Sequence, residues 1–146
     1  MTAADYATLF HSGNDLVAQA QAVATQDFAQ ARALWQQAGV CFAKAHQADP
    51  DQHGAALRLA QAWMAEAHAL QKEGSANAAL MWTHAAAQCE RAFDLAPDHA
   101  PTAMMAASCH AWAQNEEAAQ AWMQLAKHLQ QLDAEVPQEP QEPRQA

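Results

Sequence analysis

Isoleucine is absent from this 146-residue chain, and only four valines and five threonines occur. These β-branched residues suit a pleated, half-buried strand surface, so their scarcity argues against a sheet. Glycine is scarce too, at four residues, which removes the commonest weak points of helix interiors. No run approaches the ~18 consecutive apolar residues of a membrane-spanning helix. The opening Met1-Thr2-Ala3-Ala4-Asp5 has no basic segment followed by an apolar one, so neither export nor membrane insertion is expected. Cys41, Cys89 and Cys109 are odd in number and form no Cys-x-x-Cys pair. That pattern points to a reducing compartment, and the cytoplasm is the expected location. Lysine and arginine total seven against 16 acids, a net charge of −9, and they cluster nowhere. Nucleic acid is therefore not an expected partner. At long range the same charge favours a basic peptide or protein surface, and it also aids solubility.

What is there is alanine, glutamine, leucine and methionine in long stretches, the side chains that lose little entropy on entering a helix. Hydrophobic residues make up 51% of the chain. A core built mainly from alanine brings helices close together, with five tryptophans and four phenylalanines supplying the large volumes. The length fits one domain, which needs no staples to bury a core.

An internal repeat organises the chain. Pro50 and Pro97 lie 47 residues apart in similar frames, Ala48-Asp49-Pro50-Asp51 and Leu95-Ala96-Pro97-Asp98. The same offset pairs Trp35 with Trp82, Ala38 with Ala85, Lys44 with Arg91 and Ala45 with Ala92. It also links Gly13, Ala60 and Ala107, then Asn14, Gln61 and Ser108, then Phe10, Leu57 and Met104, and it joins Val17 to Met64.

Punctuation divides the chain into six helices. A capping box at Thr2 and Asp5 opens a helix over about 3–24. Thr25-Gln26-Asp27 caps a second, about 27–48, which Pro50 ends by forcing the preceding residue out of the α region. Asp51 caps a third, to about 72. Gly74-Ser75 breaks the chain before a fourth, about 76–95, ended by Pro97. Asp98 caps a fifth to about 113, and Asn115 with Glu116 and Glu117 opens a sixth, about 116–132. Residues 1–133 form this helical domain. Residues 134–146, rich in Pro, Glu and Gln, read as a solvated tail without apolar anchors.

In this layout the chain resembles the tetratricopeptide repeat family. The resemblance rests on Gly13, Ala60 and Ala107 in the first helices. In the second helices it rests on Ala38-Phe42-Ala45-Pro50, Ala85-Cys89-Ala92-Pro97 and the weaker Ala119-Met123-Ala126. It implies an all-α, right-handed solenoid of about three antiparallel hairpins, here with a lengthened period of 47 instead of about 34. It implies a non-enzymatic adaptor, scaffold or chaperone-like module, and the short acidic form is similar to tetratricopeptide chaperones of bacterial secretion systems.

Eight histidines invite a metal reading, yet no His-x-x-x-His or Glu-x-x-His spacing occurs, so neither metal nor cofactor is expected. Asp49, Asp51 and His53, like Asp94, Asp98 and His99, read as loop and capping residues. Cys109 and His110 are neighbours, but adjacent helical residues point about 100° apart, which precludes a dyad. No Gly-x-Ser-x-Gly or phosphate-binding glycine loop occurs, and no enzymatic activity is expected. Trp35, Trp82 and Trp122 are expected in the core. The expected binding surface is the stripe of equivalent positions on the first helices. It comprises Phe10, Asn14, Val17 and Gln21, then Leu57, Gln61, Met64 and His68, then Met104, Ser108, Ala111 and Asn115, with Trp112 beside it. Its amides and hydroxyl would hold a peptide backbone over an apolar floor of Leu57, Met64 and Met104. The competing expectation is a homodimer that buries the same face.

Overall fold

The computed structural model describes residues 3–135, and every regular element among them is an α-helix. These are α1 (Ala3–Val23), α2 (Phe28–Ala48), α3 (His53–Lys72), α4 (Ala78–Leu95), α5 (Ala100–Trp112) and α6 (Glu116–Glu135). The expected all-α class and its six helices are observed. The last helix runs to Glu135, so Ala134 and Glu135 are helical, and the rest of the expected tail lies outside the described residues. Thr2 of the expected capping box also lies outside them. The first helices α1 and α3 have 21 and 20 residues but α5 only 13, so the shorter third hairpin owes its length to α5.

The helix ends show which local signals operate. Asp27 caps α2 as expected, its carboxylate accepting from the Gln30 N–H at 3.0 Å. Asn115 likewise accepts from the Ala118 N–H at 3.5 Å. Asp51 does not cap α3: Gln52 takes the cap position without a side-chain bond, and Asp49 instead binds the Asp51 N–H and the Gln52 amide. Asp98 is likewise displaced by His99, whose Nδ1 lies 2.6 Å from the Thr102 hydroxyl. In both cases the turn after the proline places the cap one residue later than the nearest aspartate. Gly74 ends α3 in the left-handed region at φ 71°, with the Ser75 N–H bonded to the Leu70 carbonyl. Gln114 takes the same conformation after α5, with Asn115 N–H bonded to the His110 carbonyl.

Packing is chiefly between helices consecutive in the chain. Early α3 meets late α4, where Gln88 Nε2 donates to the Ala56 carbonyl, and late α3 meets early α4, where Trp82 Nε1 donates to Gln71. The two are therefore antiparallel. By contrast α1, α3 and α5 run the same way. The Ala55 N–H donates to the Tyr6 hydroxyl near their starts, His53 meets Thr102, and His68 meets Trp112 near their ends.

Alanine dominates the core, as the composition requires. Ala60, Ala67, Ala85, Ala86 and Ala106 surround Trp82, Cys89 and Cys109 in the largest cluster. A second cluster is built on Ala38, Phe42 and Leu59, and a third on Phe93, Ala103 and Ala126. Trp63 packs against the first two, and Trp122 against the first and third, so the core is continuous. Trp82 is 1% exposed, as expected of a core residue, whereas Trp35 and Trp122 are only partly buried. Among the described residues no helix is long and apolar enough to cross a membrane.

Candidate functional site

A groove of about 320 Å³ opens between α1, α2 and α3. Its floor is apolar: Val17 of α1, Trp35 and Phe42 of α2, and Ala62 and Ala65 of α3. Its polar rim consists of Gln21, Arg58 and Gln61, with Arg58 Nη1 donating to Gln61 Oε1 at 3.1 Å. Arg58, Gln61, Ala62 and Ala65 recur at helical spacing, which puts all four on the α3 face turned toward the gap.

The reason for the gap lies 47 residues further on. The positions equivalent to Val17, Trp35 and Phe42 are Met64, Trp82 and Cys89, and those equivalent to Arg58 and Ala62 are Met105 and Cys109. All five belong to or pack against the largest core cluster. Gln21 and Ala65 correspond to His68 and Trp112. Trp112 stacks on Trp82 at 5.8 Å with planes 15° apart, and the His68 ring meets both edge-on. Where large rings close over Trp82, the small Ala65 and the flexible Gln21 leave one side of Trp35 open, while the Phe28 ring meets it edge-on at 6.2 Å.

The expected stripe is divided between several places. Val17, Gln21 and Gln61 meet in this groove. Phe10 stacks on Tyr6 and packs against Phe42. Asn14 and Leu57 are half-buried, Met64 packs against the largest core cluster and Met104 against the third. Ser108, Ala111 and Trp112 line a second, more apolar concavity with Ala119, Gln120 and Met123, also about 320 Å³. Asn115 is occupied as the α6 cap. Trp35, Phe42, Arg58, Ala62 and Ala65 are the groove residues absent from the expected stripe. The Arg58/Ala62/Ala65 spacing was the available signal, but only the α1–α3 pairing gives it meaning.

Several titratable groups elsewhere are engaged with one another. Cys109 faces Cys89, Sγ to Sγ 3.9 Å, and the Cys89 thiol is pushed far up by that hydrogen bond and by burial. Its neighbour His110 turns to Glu90 instead, Nε2 to Oε1 3.0 Å, and the same oxygen accepts from Trp122 Nε1 at 3.1 Å. Arg32 binds Glu66 through Nε and Nη2 and also contacts Glu73. The Arg32 hydrogen bond holds the Glu66 carboxyl below its ordinary value. No group of three or more His, Cys, Asp or Glu among the described residues is placed to hold a metal ion.

His53 and His99 share the Thr102 hydroxyl, at 3.3 and 2.6 Å, with their rings 5.0 Å apart. Burial, then the neighbouring His99, lowers the pKa of His53 below its ordinary 6.5. Between those two values the unfolded chain binds more protons than the folded one, so stability falls as pH drops through the window below 6.5. Urea midpoints compared between about pH 7.5 and about pH 5.5 are expected to decline less in His53→Gln than in the native chain. An equal decline in both would remove His53 from the account.

No protein-family model matches this chain, and no curated protein matches it significantly.

Proposed function

We propose that this protein is a non-enzymatic interaction module, an adaptor, scaffold or chaperone-like solenoid of three tetratricopeptide-type hairpins in the cytoplasm. It receives a peptide or helix of a protein partner in the groove between α1 and α3. The observation that carries the reading is the half-open Trp35 floor, apolar and rimmed by hydrogen-bonding side chains, at a place where the positions 47 residues on carry rings stacked over the buried Trp82. A concave apolar seat with a few polar groups is what peptide recognition requires. Consecutive packing of the helices and the burial of Gly13, Ala60 and Ala107 support the solenoid. The pairing of Cys109 with Cys89 and of His110 with Glu90 favours a role without chemistry.

Ala65→Trp tests this reading, because the introduced indole would lie over Trp35 as Trp112 lies over Trp82. The variant is expected to fold with equal or higher stability. Peptides selected on the immobilised native protein are expected to lose about tenfold or more in affinity for it, the equivalent of about 1.4 kcal/mol. Ser108→Trp, in the second concavity, is expected to leave their binding unchanged. If Ser108→Trp and not Ala65→Trp blocks the peptides, the groove is not the seat. The alternative reading is a homodimer burying the face formed by the first helices, favoured by the 48% exposure of Trp112 on α5. Light scattering across a concentration series would then give twice the monomer mass for the native chain and the monomer mass for Ala65→Trp.

A further inference from the structure

The groove also carries a charge that neither its shape nor the chain's net charge of −9 anticipates. We propose that it selects an acidic side chain of the partner peptide, whose carboxylate is held by Arg58 while a flanking aliphatic residue rests on Trp35 and Val17. This rests on the groove being the peptide seat.

Three observations converge on Arg58. No acid lines the groove, so its only formal charge is positive. Among the described residues Arg58 has no carboxylate partner. Its hydrogen bond goes to the neutral Gln61 amide, which orients the guanidinium and leaves further donors open. Arg32 by contrast is taken up by Glu66 and Glu73, and Arg91, which like Arg58 donates to a neutral glutamine amide, lies outside the groove. Finally, Arg58 stands where the next period has Met105, an apolar residue packed against the core. At the equivalent place the chain therefore carries an exposed guanidinium beside the groove and not an apolar side chain in the core.

Guanidinium and carboxylate match in geometry, and hydrogen bonds between ionised partners are the stronger kind. Gln21, across the groove on α1, adds an amide that can accept from or donate to the peptide backbone. The net negative charge repels an acidic peptide at long range, but that repulsion is screened by salt over about 10 Å, whereas the contact inside the groove is screened less. The chain's overall charge therefore governs the encounter, and Arg58 governs the choice of occupant.

The test is a titration of the full-length ¹⁵N-labelled protein with two matched probes, acetyl-Leu-Glu-Leu-amide and acetyl-Leu-Gln-Leu-amide. Both are expected to shift the Trp35 indole and the Gln21 and Gln61 side-chain resonances. The acidic probe is expected to bind about fivefold more tightly, the fold-change of a partly exposed ion pair. In Arg58→Gln, an exposed position whose change is expected to leave the thermal midpoint unchanged, that ratio is expected to fall to about one. Equal affinities in the native protein, or a preference that persists in Arg58→Gln, would overturn the assignment while leaving the groove as a peptide seat. Shifts confined to α5 and α6, or none at all, would overturn both.

Discussion

Replacing Trp82 with alanine is expected to remove about 3–5 kcal/mol of folding stability, the cost of a large buried ring plus the cavity it leaves. Set against a total of about 5–15 kcal/mol for an ordinary domain, that is enough to populate the unfolded state under mild conditions. Trp82 is 1% exposed and sits among Ala60, Ala85, Ala106 and the two buried thiols, all of them on helices that cannot close in without moving the others. Its Nε1 also donates to Gln71 at 2.9 Å, so the substitution frees an acceptor at the end of α3. Urea unfolding followed by far-ultraviolet circular dichroism gives the number directly. Trp112→Ala provides the contrast: the two rings are stacked, but Trp112 is 48% exposed, so truncation removes less buried surface and opens no enclosed cavity. A loss for Trp112→Ala as large as that for Trp82→Ala would show that the pair is one structural unit and not a core residue with a cover.

Gly13→Ala is expected to destabilise the fold by about 1–3 kcal/mol, as overpacking of a filled core does. In an exposed helix interior the same change would stabilise by about 0.5–1 kcal/mol, so the sign itself is diagnostic. A Cβ at position 13 would lie 2.5 Å from one carbon of the Phe42 ring and 2.8 Å from two others. Phe42 is fully buried among Ala38, Leu59 and the ring of Phe10, so it can yield only toward the groove whose floor it forms, at the expense of its packing with them. Adding Phe42→Leu should relieve the clash. The double variant is then expected to be no less stable than Phe42→Leu alone, a non-additivity that thermal unfolding of the four proteins in the cycle would measure. Simple addition of the two losses would mean that α1 and α2 separate to admit the methyl group.

The equivalence of Gly13, Ala60 and Ala107 was legible in the sequence, and all three are buried. The partner that demands glycine at the first of them was not. Ala60 and Ala107 tolerate a Cβ, and nothing in the chain near Gly13 announces that a phenylalanine ring 29 positions later lies across it. Capping shows the same division at short range. Asp27 was read correctly because its bond spans three residues, whereas Asp51 and Asp98 were displaced because the turns after Pro50 and Pro97 shift the first helical residue by one.

By itself the sequence determined the all-α class, the number of helices and their ends to within a few residues. Those features depend on propensity, proline and capping, which act within one turn of chain. It also marked the small residues at which helices meet, because their spacing repeats. Only the tertiary structure decided that Trp82 is sealed and Trp35 half-open. The two tryptophans are equivalent in sequence, and their fates differ through residues on neighbouring helices, His68 and Trp112 over one, Gln21 and Ala65 beside the other. A groove is a mismatch between side-chain volumes brought together across helices, and that sum does not exist until the helices are paired.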